Sequence, residues 1–111
     1  MSGTNANDIP PAVALRAAAL GQRIRAARTR RHLRREDLAQ RAGLSRTAIE
    51  AVEKGKLTTG LGTYLLALWA LGLDPAFDLI ADPGLDRDGL ALELDSQTKR
   101  VRVQRKLGND F

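Results

Sequence analysis

Covalent and acid–base chemistry depend on a few side-chain types, and this chain of 111 residues is short of them: it has one histidine, His32, and no cysteine. His32 lies among Arg30, Arg31, Arg34 and Arg35, where a loop position or a phosphate contact suits it better than proton transfer. Glu50 and Glu53 stand three apart on one expected helix, ordinary spacing for surface carboxylates. No metal-ligand set, nucleophile triad or phosphate-cradling glycine loop can be assembled. The residues therefore argue against an enzyme and imply no metal and no cofactor.

What the chain does carry is segregated charge. The net charge is +7 over residues 1–56, −6 over 57–97 and +4 over 98–111. Such a division suits a polyanion-binding face in the first half, a separate acidic part and a basic tail. A solvated, solubilising surface is the plain alternative.

The elements that must hold those cations are expected to be helices. A hydrophobic share of 43% with only 4% aromatic residues fits an all-α domain built from Leu and Ala, which lose little side-chain freedom in a helix. The lack of cysteine fits a reducing compartment, with cytoplasmic as the default. Residues 1–10 read as a flexible leader without the pattern of a secretory signal. The longest apolar stretch, Tyr64 to Leu73, is too short to span a membrane.

Pro10-Pro11 can open a first helix over Val13 to Arg30, with Leu20, Ile24 and Ala27 on one buried stripe. A second is expected from Arg35 to Ala42, with Leu38 and Ala39 inward, Glu36 and Asp37 in its first turn and Gly43 at its end. Ser45 is a good N-cap for a third, Arg46 to Lys54, with Ile49 and Val52 inward and Gly55 as its stop. Two helices of about eight residues joined by a tight glycine-containing turn have the spacing of a helix-turn-helix unit. A fourth helix is expected over Leu61 to Leu71 and a fifth over Pro75 to Ile80, broken by Asp82-Pro83-Gly84. Beyond Pro83, Leu90, Leu92 and Leu94 alternate with polar or small residues, as do Val101 and Val103. Two short strands about Ser96–Thr98 fit that alternation, and a short helix over Leu90–Leu94 fits nearly as well. Residues 104–111 are expected to be disordered when unbound.

The stretch LGQRIRAARTRRHLRREDLAQRAGLSRTAIEAVEKGK, Leu20 to Lys56, followed by LGTYLLALWALGL, Leu61 to Leu73, resembles the Cro/repressor-like (XRE) helix-turn-helix family. The resemblance rests on L-x-x-x-E-D-L-A, A-G-L-S, I-x-x-x-E-K-G-K and A-L-G-L falling in register. It implies a lambda-repressor-like DNA-binding domain, which with the five helices above spans residues 11–82; residues 83–111, beyond the resemblance, are expected to be a short extended or β-like arm for dimerisation or partner binding, partly disordered. It also implies that the third helix enters the major groove, with Arg46, Thr47 and Ala51 at the base-reading positions. The usual Ser or Thr followed by Gln at the start of the second helix is replaced by Arg34-Arg35. Arginine is a poor cap there and opposes the helix dipole, but a nearby phosphate reverses that sign. Arg34 and Arg35 are therefore expected to clamp the DNA backbone, with Ser45, Lys54 and Lys56, the alternative being that the departure alters or weakens DNA binding.

The fourth helix is apolar beyond the one stripe (Leu61, Leu65, Leu68, Leu71) that the domain needs. Tyr64, Leu66 and Trp69, extended by Phe77 and Ile80, are expected to form a dimer or partner interface, as the resemblance to operator-binding two-fold dimers also implies. The basic segment KRVRVQRKLGNDF resembles the arm of HipB-type antitoxins, which pair with a HipA-like kinase toxin. Two functions follow. One is a dimeric repressor of a palindromic operator, with or without a toxin partner. The other is a protein-interaction module whose helix-turn-helix no longer reads DNA.

Overall fold

A computed structural model describes residues 8–108. Among them are five α-helices: α1 (Pro11–Arg30), α2 (Arg35–Ala42), α3 (Arg46–Glu53), α4 (Leu61–Ala70) and α5 (Arg87–Gly108), with a 3-10 helix at Asp74–Leu79. The described chain divides into two compact units between Pro75 and Ala76. The leader expected over residues 1–10 lies outside the described residues as far as residue 7, and residues 109–111 of the tail likewise lie outside them.

Local chemistry accounts for most boundaries in the first unit. Pro11 occupies the first position of α1, where no backbone donor is needed. α1 ends with the N–H of Leu33 donating to the Arg28 carbonyl (3.2 Å) and that of His32 to the Thr29 carbonyl (3.0 Å). This closing motif puts His32 in the left-handed region, φ 56°, a position glycine usually takes. The single histidine is thus a helix stop. A left-handed non-glycine residue costs about 1–2 kcal/mol, and glycine's greater freedom in the unfolded chain costs about 0.4–1 kcal/mol in return. His32→Gly is expected to raise stability by roughly 0.5 kcal/mol on that difference. An unchanged or lower unfolding midpoint in urea would refute it.

α2 starts without a capping hydroxyl. The Asp37 carboxylate folds back instead, accepting the Arg34 backbone N–H at 2.8 Å and side-chain bonds from Arg34 at 3.2 and 3.3 Å. Hydrogen bonding to the Arg34 guanidinium and backbone holds the Asp37 carboxyl below the usual carboxylate range and raises Arg34. Gly43, at φ 69°, ends α2, and the Ser45 hydroxyl accepts the Ala48 N–H at 3.0 Å to begin α3. Gly55, at φ 68°, ends α3.

The core of this unit is one apolar cluster. Ile24, Leu38, Ile49 and Val52 are its fully buried centre, joined by Ala27, Ala39, Ala42, Tyr64, Ala67, Leu68 and Leu71. α3 packs against α1, α2 and α4, and α2 also packs against α4. α3 is thereby held on three sides. Gly21 of α1 lies against the end of α3, where a Cβ would sit 2.6 Å from the Val52 and Glu53 carbonyls.

Three expectations are corrected. The inward stripe of α4 is Tyr64, Ala67, Leu68 and Leu71; Leu61 is exposed and Leu65 half-buried. With apolar residues on every face, the pattern of α4 does not say which side turns in; Tyr64 turns in, and its hydroxyl donates to the Lys56 carbonyl at 2.7 Å. Burial pushes its phenol up. The segment expected as a fifth α-helix is the 3-10 helix Asp74–Leu79.

The largest correction concerns the C-terminal arm, which is not extended or β-like: residues 87–108 are helical. Asp86 caps α5, its carboxylate accepting the Gly89 N–H at 3.0 Å, and Asp95 pairs with Lys99 one turn on at 3.2 Å. Acidic residues crowd the N-terminal half and basic ones follow, as the helix dipole favours. Alternating leucines without a partner strand would leave backbone groups unpaired, whereas a helix satisfies its own.

Candidate nucleic-acid interface

α3 has two distinct sides. Ile49 and Val52 are fully buried, while Arg46 and Thr47 are exposed and Ala51 is half-buried. At 100° per residue, Arg46, Glu50, Lys54, Thr47 and Ala51 occupy about 140° of contiguous arc. The three expected base-reading residues therefore share the outer face, and Lys54 joins them. Glu50, which the sequence reading treated as ordinary surface, lies in the middle of that face.

Arg46 is exposed but not idle. Its guanidinium bonds Glu36 of α2 at 2.7 Å and Glu50 one turn on at 3.3 Å. The pairs join the start of α3 to α2 and to its own next turn. Because they are solvent-exposed they are weak, in the range of about 0.2–1 kcal/mol each, and a base or phosphate can displace them. Ser45 uses its hydroxyl oxygen to cap α3. Lys54 and Lys56 are exposed.

The two arginines expected to clamp phosphates differ from each other. Arg34 is well exposed yet bonded to Asp37, with Glu36 at 3.9 Å. Arg35 reaches inward to Glu53 at 3.2 Å and is only about one-third exposed, 34% for its side chain. A cleft of about 260 Å³ lined by Arg25, Arg35, Glu50, Glu53 and Lys54 sets two carboxylates among its three cations, which makes it a poor anion site on its own.

Beneath this surface lies a feature the sequence reading missed. Glu53 is buried, and it accepts a two-pronged bond from Arg28 of α1, Nε to Oε2 at 2.6 Å and Nη2 to Oε1 at 3.0 Å. Arg28 also donates to the Leu33 carbonyl at 2.8 Å, in the turn between α1 and α2. The Glu53 carboxylate, chiefly through these hydrogen bonds, holds Arg28 above the ordinary guanidinium value despite burial. With Arg35 added, one carboxylate ties together the end of α1, the start of α2 and the end of α3. No side-chain polar atom buried among the described residues lacks a partner.

A buried helix pair with a glycine-marked turn, an exposed second helix and its supports on three sides match a known pattern. The family model for the helix-turn-helix domain matches residues 19–77, more than half of the chain. The chain belongs to this helix-turn-helix family. No curated protein and no solved structure matches it. As a helix-turn-helix domain, the first unit points to DNA as its partner.

The expected interface residues fall on both units. Tyr64 belongs to the core. On the same unit, Leu66 and Trp69 are exposed, 42% and 58%, and with Leu61 and half-buried Leu65 they make an open apolar arc along α4. Phe77, half-buried, and Ile80, exposed, belong to the second unit. No described helix is long and apolar enough to cross a membrane.

Proposed function

We propose that this helix-turn-helix protein is a transcriptional repressor of the Cro/repressor-like (XRE) kind, binding a palindromic double-stranded operator as a homodimer. The observation that carries the reading is the open outer face of α3, where Arg46, Thr47 and Ala51 project from a helix whose other side is locked into the core. Arg46 reads a guanine, Thr47 a thymine methyl or an acceptor, and Ala51 offers an apolar contact. Ser45, Lys54, Lys56 and Arg34 line the phosphate track; Arg35 contributes only if it turns away from Glu53. Residues 11–82 form the DNA-binding domain and residues 83–111 the arm for dimerisation or a partner. The exposed arc of α4, with Leu66 and Trp69, is a subunit contact. The HipB-type resemblance of the basic arm makes a HipA-like kinase toxin a partner of the same dimer.

Selection from a randomised duplex library, followed by titration of the enriched site against salt, tests this. A two-fold symmetric site is expected, with affinity falling at about −0.9 in log–log slope per phosphate neutralised. Arg46→Ala is expected to lose about 1–3 kcal/mol of preference at one base pair per half-site, while Lys54→Ala weakens all sequences alike. Glu36→Gln is expected to tighten binding by freeing Arg46. Duplex binding indifferent to Arg46, Lys54 and salt would instead favour a protein-interaction module with a degenerate helix-turn-helix.

A further inference from the structure

α5 presents an apolar stripe that is exposed among the described residues. Leu90, Leu94, Gln97 and Val101 follow a 4-3-4 spacing, which places them on one face of the helix and in the register of a coiled-coil seam. The three apolar members are 48%, 53% and 46% exposed. Charge on this helix is polarised along its length: Asp88, Glu93 and Asp95 stand in the first half, and Lys99, Arg100 and Arg102 follow.

We infer that α5 pairs side by side and antiparallel with α5 of a second copy of this chain. Antiparallel alignment sets each acidic half against a basic half, whereas parallel alignment would set acid on acid and base on base. The register follows from the seam. Leu90 of each copy meets Val101 of the other, and Leu94 meets Gln97, so every seam position finds a counterpart under one two-fold axis. The same register puts Glu93 opposite Arg100 on the flank, twice by symmetry, while Ala91 and Thr98 face each other on the other flank without charge. A parallel pair would stack the two Gln97 side chains, but it leaves Glu93 facing Thr98 with no charge to meet. Asp95 and Lys99 are already paired within the helix and lie away from the seam. The contact supplies a subunit interface for the dimer proposed above. It rests on that dimeric reading alone and not on operator recognition.

Cross-linking and sedimentation on the full chain test the pairing, helped by the absence of native cysteine. Chains carrying Leu90→Cys mixed with chains carrying Val101→Cys are expected to form a mixed disulfide dimer. Val101→Cys alone is expected to stay uncross-linked, because its own copy lies about 16 Å away along the axis at 1.5 Å per residue. Glu93→Arg and Arg100→Glu are each expected to weaken dimerisation roughly ten-fold, and the double exchange to restore it. The proposal is overturned if Val101→Cys chains cross-link to themselves as readily as to Leu90→Cys chains, or if the double exchange stays as weak as either single change. A dimer broken by Trp69→Glu but indifferent to every α5 change overturns the α5 pairing and leaves the dimeric repressor standing. A chain that remains monomeric at 100 μM overturns both, 100 μM being a concentration at which even a modest ~10 μM dimer forms.

Discussion

Replacing Glu53 by alanine is expected to cost about 3–5 kcal/mol, because it leaves the Arg28 guanidinium buried without its counter-charge. A domain of this size has about 5–15 kcal/mol in all, so the variant sits near the edge of folding at 25 °C. The consequence goes beyond the pair. Arg28 also holds the Leu33 carbonyl, and Arg35 leans on the same carboxylate, so three helix ends lose a common tether. Glu53→Gln keeps an acceptor of the same shape and is expected to lose less. The double replacement Arg28→Met with Glu53→Leu is expected to recover most of the loss, since an apolar pair of similar volume carries no desolvation cost. Urea unfolding of the three variants and the parent checks this ordering. A Glu53→Ala midpoint within about 0.5 kcal/mol of the parent, the range of an ordinary surface change, would show that the pair contributes no more than its exposed neighbours.

That pair also marks where sequence reasoning stopped. Arg28 and Glu53 are 25 positions apart, and each resembles a surface residue on its own helix. Only the packing of α1 on α3 joins them, and no periodicity along the chain encodes that crossing. The bounds of α2 and the start of α3 were legible for the opposite reason. Gly43 and Ser45 act within four residues of themselves, so their chemistry is written locally. The outer face of α3 was legible too, because Ile49 and Val52 can turn inward only if Arg46 and Thr47 turn outward. The engagement of Arg46 with Glu36 was not, since it depends on the angle between two helices.

The C-terminal helix shows a local signal given too little weight. Alternation at Leu90, Leu92 and Leu94 reads as a strand when it is the only pattern considered. Asp86 at the cap, carboxylates ahead of lysine and arginine, and a four-residue Asp95–Lys99 step all point to a helix, and they lie in the same stretch. The face of α4 differs again. Its residues are apolar on every side, so a pattern that only separates apolar from polar cannot orient it, and it is Tyr64 rather than Leu61 that packs inward.

The crossing of α1 over the end of α3 sets the second large expectation. Gly55 combines a left-handed backbone with a position where a Cβ would fall on the Ala17 carbonyl and within 2.7 Å of the Ala18 Cα. Gly43 has nearly the same backbone, φ 69° against 68°, but open space around it. Gly43→Ala therefore measures the conformational cost alone, about 1 kcal/mol. Gly55→Ala adds a clash between backbones that no side-chain rotation relieves. Overpacking of this kind costs about 1–3 kcal/mol, so a total of about 2–4 kcal/mol is expected. Gly21→Ala meets the same crossing from the other side and is expected to lose about 2–3 kcal/mol without any left-handed term. Equal losses at Gly43 and Gly55 would mean that α1 does not approach α3 so closely. A loss at Gly55 far above that at Gly43, shared in part by Gly21, would establish that α3 is held in place by backbone-to-backbone contact with α1.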